Sequence, residues 1–122
     1  MDNDPFQSLV KKLKIKPGVK HIFLCADQRR AKCCSYEDGM KSWDYLKNRT
    51  AELVREEKIN VLRTKANCLR FCFKGPIIVI YPDAVWYHSC TPVVIEKILE
   101  RHIKQGKVVK EYEINLRFLG KK

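Results

Sequence analysis

The sequence predicts an α/β fold in which a small mixed β-sheet is flanked by two main helices. Three observations carry that prediction. Short β-branched and aromatic runs recur at His21-Ile22-Phe23-Leu24 and at residues 60–63, 77–81 and 85–88. Two longer stretches, at about residues 41–58 and 92–105, repeat apolar side chains at helical spacing. A length of 122 residues, 45% of them hydrophobic, suits one domain that can bury a core without disulfide staples. The order is then strand, helix, strand, strand, strand, helix, compatible with two layers or three.

Residues 1–19 read as a basic N-terminal extension, loosely attached, with one weakly amphipathic stretch around Phe6, Leu9, Val10 and Leu13. Pro17-Gly18 ends it as a turn. The first strand runs out at Cys25, and residues 26–39 form a polar loop that carries Cys33 and Cys34. The helix at 41–58 aligns Trp43, Leu46, Leu53 and Val54 on one face, with Ser42 or Asp44 as its cap. A second loop, residues 64–76, carries Cys68 and Cys72. The run at 77–81 suits a buried strand, and Pro82-Asp83 turns the chain into the next one. Thr91-Pro92 reads as an N-cap followed by proline at the first helical position. The last helix buries Val94, Ile95, Ile98, Leu99, His102 and Ile103 and stops at Gly106. Residues 108–118 add an extended segment, and residues 119–122 a basic tail.

The balance of 25 Lys and Arg against 14 Asp and Glu gives +11. Such a bias suits an acidic protein, an acidic membrane surface or nucleic acid. The charge is spread along the chain without an Arg-rich or aromatic-interleaved motif, which argues against nucleic acid and leaves a solvated basic surface as the plain alternative. The longest apolar run, residues 77–81, is far too short to span a bilayer. The opening Met1-Asp2-Asn3-Asp4-Pro5 lacks an apolar core of signal-peptide length, and its acids argue against a transit peptide, so a cytoplasmic location is expected.

In that compartment six cysteines point to metal binding or redox chemistry rather than to structural disulfides. Cys25 sits where a strand ends, and Cys68 and Cys72 sit just before another begins. Loops at strand ends can lie side by side and bring thiolates together. In Cys68-Leu69-Arg70-Phe71-Cys72 the two thiols are four residues apart, and Leu69, Phe71 and Phe73 can shield a metal from water. Gly75 permits a bend before Pro76 leads into the strand. By spacing alone, an iron–sulfur cluster, a four-cysteine zinc site and metal-free thiols all stay open.

The segment His21-Ile22-Phe23-Leu24-Cys25 resembles the opening of the thioredoxin-like 2Fe–2S ferredoxins. So does Asn67-Cys68-Leu69-Arg70-Phe71-Cys72-Phe73-Lys74-Gly75-Pro76, followed by an apolar strand, Tyr81-Pro82-Asp83, Val85-Trp86-Tyr87 and a helix opened by Thr91-Pro92. The resemblance covers roughly residues 20–113 and extends to the small 2Fe–2S subunit of respiratory complex I. It implies a thioredoxin-like domain over residues 20–118. It also implies a 2Fe–2S cluster held by Cys25, Cys34, Cys68 and Cys72, with Cys33 able to take the place of Cys34. Cys34 is preferred because it leaves a more family-like distance to Gly39 and the helix. A homodimer is a common family arrangement. The chain departs from the pattern at Ala84, where glycine is usual, and in the short loop before the double cysteine.

The expected function is one-electron transport, with no enzymatic activity. The charges in the two ligand loops, Arg29, Arg30, Lys32, Arg70 and Lys74, suit an acidic redox-partner protein. A redox-sensing adaptor and a structural zinc module are the alternatives from other classes. A metal-free thiol reductase is weakened by the lack of a Cys-x-x-Cys motif at a helix start. Cys90 is expected as a small buried residue. His21, His88 and His102 are expected in packing or surface roles, and Trp43, Trp86 and Tyr87 as core or interface aromatics.

Overall fold

The structure is a computed structural model, and it describes residues 4–26, 35–67, 69 and 73–116. Its sheet has four strands: β1 (Lys20–Cys25), β2 (Val61–Ala66), β3 (Ile78–Tyr81) and β4 (Val85–Tyr87), in the order β2-β1-β3-β4. β1 and β2 are parallel, and helix α2 (Tyr36–Glu56) lies between them in the chain. β3 runs antiparallel to both β1 and β4. The mixed sheet is therefore present as predicted.

Side chains alternate across each strand, so the register assigns them to faces. Ile22 pairs with Ile80, Leu24 with Ile78, and Ile78 with Tyr87. This face is buried beneath Leu46 and Leu53 of α2 and Val94, Ile95, Ile98 and Leu99 of the last helix. Both main helices thus cover the same face, which settles the choice in favour of two layers. The other face presents His21, Phe23, Tyr81 and Trp86, none of them fully buried.

Helix α2 begins at Tyr36, five residues before the predicted start, and Ser35 caps it by accepting the Asp38 N–H at 3.1 Å. Glu37 and Asp38 in the first turn complement the helix dipole. Gly39 read as a loop residue, yet it is buried inside the helix, and Ser42 is also buried rather than capping. β2 extends three residues beyond its predicted end because it pairs with β1 along its whole length. The last helix is α-helical over α3 (Pro92–Lys97) and widens into a π-helical turn at Ile98–Ile103. Thr91 occupies the N-cap position without a side-chain bond, and Gly106 ends the helix at φ +72°. The extended tail is only partly so. A short 3-10 turn at Lys110–Tyr112 precedes a bridge from Glu113 to Tyr87, and residues 117 and 118 lie outside the described residues.

The stretch around Phe6 to Leu13 is a regular helix, α1 (Pro5–Leu13). Asp4 caps it by accepting the Phe6 N–H at 2.9 Å, and proline stands at its start. Lys14, at φ 56°, closes it with a left-handed turn. None of its residues is buried. Ala84, where the resemblance has glycine, sits at φ 57°. That conformation strains any residue with a Cβ, which explains the glycine preference at the turn.

Two polar systems tie the elements together, the first between the two main helices. Arg49 of α2 bonds both carboxylate oxygens of Glu96, at 2.8 and 3.0 Å, and Tyr45 donates to the same carboxylate at 2.6 Å. The Arg49 bonds hold the Glu96 carboxyl down to about 2. The second system is a chain through the core. The buried Tyr87 hydroxyl accepts the Val109 N–H at 3.0 Å and lies 2.7 Å from Nδ1 of buried His102. Nε2 of His102 lies 2.5 Å from Asp83, which also binds Lys20 at 2.6 Å. One tautomer satisfies every member: Tyr87 donates to Nδ1, and Nε2–H donates to Asp83. Burial alone would raise the pKa of Asp83, but the bonds from His102 and Lys20 outweigh it and keep the carboxyl below its usual value.

Removing the Tyr87 hydroxyl leaves the Val109 N–H and His102 Nδ1 buried without partners. Tyr87→Phe should therefore lower the unfolding free energy by about 1–3 kcal/mol, measured as a shift in the denaturant midpoint. An unchanged midpoint would show that the chain contributes nothing net.

Candidate metal centre

The geometry of the site follows from the register of β1. Cys25 is the last residue of that strand and is 1% exposed. Its parallel partner is Ala66, the last residue of β2, and the Ala26 N–H bonds the Ala66 carbonyl at 2.7 Å. Cys68 follows two residues later in the chain. β3 starts at the same end of the sheet, since Leu24 pairs with Ile78 and the Cys25 N–H bonds the Ile77 carbonyl at 3.0 Å. Residues 27–34 leave from Cys25 itself. All three cysteine-bearing segments are therefore attached at one end of the sheet. Cys33, Cys34, Cys68 and Cys72 themselves lie outside the described residues.

Cys25 shows how a sulfur is treated there. The Ile77 N–H donates to its Sγ at 3.0 Å. A backbone donor aimed at sulfur favours a thiolate over a thiol, which is what an iron ligand requires. The same bond links the end of β1 to the strand that follows the Cys68-to-Cys72 loop. The flanking backbone is also held. The Cys90 N–H bonds the Pro76 carbonyl at 2.9 Å, and the Ser89 N–H bonds the Lys74 carbonyl at 2.7 Å. The Gly75–Pro76 peptide is cis. The chemistry of this position fits a metal-bound thiolate.

Cys90 behaves differently, and as expected it is buried. Burial, and then the nearby Cys25 sulfur, pushes its pKa well up, so it stays a neutral thiol. Its Sγ lies 3.5 Å from the His88 carbonyl and can donate to it. The histidines hold structural positions too. His21 Nε2 bonds Thr64 at 2.7 Å and its ring stacks on Phe23, burial lowers its pKa, and His88 Nδ1 lies 2.8 Å from Ser89. Tyr87 is a core aromatic, while Trp43 and Trp86 are partly buried.

Among the charged residues of the two cysteine-bearing loops, Lys74 is described and exposed; it sits at φ 51°, with its ammonium 5.5 Å from the Phe73 ring centre. Beside the site, the uncovered sheet face forms a shallow cavity of about 400 Å³ lined by His21, Phe23, Leu69, Val79, Tyr81 and Trp86. Sequence reasoning singled out none of this face as a unit. The alternation along β1 and β3 was the available signal, but the runs read as continuously apolar.

No family model matches the chain. A 2Fe–2S ferredoxin of Clostridium pasteurianum is 33% identical over 103 residues, covering 77% of this chain and 94% of that protein. The chain belongs to the 2Fe–2S ferredoxins. A second such ferredoxin, from Aquifex aeolicus, is 38% identical over 52 residues, 43% of this chain and 47% of that one. Two structures of the thioredoxin-like [2Fe–2S] ferredoxin from Aquifex aeolicus superpose with TM-scores of 0.70 and 0.69, at 26% and 25% identity. They cover 80% of this chain and 91% and 97% of theirs. The thioredoxin-like fold expected from the sequence is thereby established. Membership also decides among the readings that cysteine spacing left open, against zinc and against metal-free thiols.

Proposed function

We propose that Cys25, Cys34, Cys68 and Cys72 hold a 2Fe–2S cluster through which the protein relays single electrons between partner proteins. As a 2Fe–2S ferredoxin the chain is an electron carrier and not an enzyme. The observation that carries the ligand set is the attachment of all three cysteine-bearing segments at one sheet end, where Cys25 already receives a backbone N–H. The cluster supplies a site that accepts and returns one electron. The chain's own residues hold it, shield it and offer it to a partner. A cytoplasmic location suits this reading, because the cytosol keeps an unligated thiol such as that of Cys90 reduced.

Visible absorption that bleaches with dithionite, and an EPR signal of about one spin per cluster, are expected from the anaerobic protein. Cys34→Ala should lose that chromophore or hold it in altered form, while Cys33→Ala leaves the spectrum as it is. The reverse pattern would make Cys33 the ligand.

Arg70 and Lys74 place positive charge in the loop of two ligands. Positive charge favours the more negative, reduced state of the cluster. Replacing both with alanine should lower the reduction potential in a voltammetric titration. The same change should slow association with an acidic redox partner, whose rate with the unaltered protein falls as salt rises. An unchanged or higher potential in the double variant contradicts the electrostatic assignment.

The uncovered aromatic face of the sheet supports a further reading, that a second copy of the chain covers it. Phe23, Tyr81 and Trp86 supply rigid area of the kind found in interface cores. Sedimentation velocity should then report a dimer that Tyr81→Lys weakens, whereas a monomer at micromolar concentration would leave the face to another partner.

A further inference from the structure

Helix α1 combines two features that the electron carrier does not use. Its apolar side chains fall at i, i+3, i+4 and i+7, with Phe6 72%, Leu9 50%, Val10 43% and Leu13 51% exposed. At 100° per residue these four occupy one arc of the helix, and Lys11 and Lys12 fall on either side of it. The apolar stripe continues into Ile15, which is 39% exposed. A contiguous, partly exposed stripe of five large hydrophobic residues is the kind of patch that marks an interaction site.

The second feature is charge. Residues 4–19 contain Lys11, Lys12, Lys14 and Lys16 and a single carboxylate, that of Asp4, which is engaged as the N-cap. Where α1 ends, a concavity of about 550 Å³ is lined by Val10, Lys11, Lys14, Ile15 and Lys16 on one side and by Lys58 and Asn60 on the other. Among the described residues no carboxylate pairs with any of these four lysines or with Lys12. Some cations elsewhere are bridged, as Lys20, Arg49, Arg101 and Lys104 show. Apolar insertion flanked by unpaired ammonium groups is the pattern of a helix lying in the plane of a bilayer.

We propose that α1, together with the lysine-lined concavity it forms with residues 58–60, seats the protein peripherally on membranes containing anionic lipid. The apolar stripe enters the acyl boundary, and the lysines meet headgroup phosphates. An in-plane helix needs no spanning length, and no helix among the described residues is long and apolar enough to cross a membrane. The location in the fold is consistent. Asn60 directly precedes β2, whose first residue pairs with Lys20 at the start of β1. The seat therefore lies at the sheet end opposite Cys25, about 17 Å away along a six-residue strand. A protein seated in this way keeps its cysteine end directed away from the lipid.

The test is flotation of the cluster-loaded protein with vesicles of phosphatidylcholine alone, or of phosphatidylcholine and phosphatidylglycerol mixed at about 2:1. Binding to the mixed vesicles should be at least about tenfold stronger and should weaken as salt rises. Leu9→Glu with Leu13→Glu should reduce it by about tenfold or more, because a charge replaces each inserted side chain. Lys11, Lys12, Lys14 and Lys16 changed together to Gln should remove the preference for anionic vesicles. These side chains are exposed, so far-UV circular dichroism and the visible spectrum should not change, and neither readout depends on lipid. Equal binding to both vesicle types, or binding indifferent to the leucine changes, overturns the proposal. So does self-association that the leucine variant abolishes without any vesicle binding, which would make a second copy the occupant. Equally tight capture by polyglutamate, unaffected by the leucine changes, would assign the surface to an acidic protein instead.

Discussion

The parallel pairing of β1 with β2 is the constraint on which the rest of the molecule depends. Two parallel strands cannot be joined by a tight turn, so the chain must cross over, and α2 is that crossover. The crossover covers one face of the sheet and creates the core. It also returns the chain so that β1 and β2 point the same way and end together at Cys25 and Ala66. The site's convergence is thus a property of the backbone before any side chain is considered. A one-residue slip of β1 against its neighbours would turn Ile22 and Leu24 out of the core, so the register that buries the core also fixes the height of Cys25 at the sheet end.

Antiparallel β3 completes the arrangement. Strands of either direction can deliver a loop to the same sheet end, β1 and β2 by leaving it and β3 by starting there. The residues between β2 and β3 therefore begin and end beside Cys25. Helix α3 and its π-helical turn are fastened by a different device, the chain from Lys20 through Asp83, His102 and Tyr87 to Val109. A buried histidine is tolerable there because both ring nitrogens have partners and the carboxylate next to it also has a cation. Its partners come from β1, the β3–β4 turn, β4 and the segment after the last helix. One polar network thus fixes the relation of the last helix and the following segment to the sheet.

The sequence made much of this legible, and the reasons are specific. Apolar period identified α2 and α3 through Leu46, Leu53, Val94, Ile95, Ile98 and Leu99, all of which are buried. Cys25 at a strand end was readable because the strand itself was strongly β-branched and aromatic. The start of α2 was not, since Gly39 signals a break locally while its burial inside the helix is a tertiary fact. The end of β2 was missed for a related reason. Thr64, Lys65 and Ala66 look like loop residues, yet pairing with β1 draws them into the ladder. The Tyr87–His102–Asp83 chain links residues 15 and 19 positions apart, and no local pattern encodes such a contact. Ala84 was visible as a departure, but its strain becomes physical only with its φ of 57°.

The charge of +11 also takes on a spatial meaning that composition could not supply. The acids of the helices are largely consumed by neighbours: Glu96 and Glu52 by Arg49, Glu57 and Glu100 by Lys104, Glu111 by Arg101. Among the described residues, Lys11, Lys12, Lys14 and Lys16 meet no carboxylate and follow one another closely in α1 and the turn after it. A cation that is already bridged contributes little field beyond a Debye length, whereas a group of unbridged ones attracts at a distance and releases counterions on contact. The sheet separates such a group from the cysteine end by the length of β1. The lysines at the α1 end would therefore have little influence on a cluster held at the cysteine end, and a substitution at one end would leave the other undisturbed.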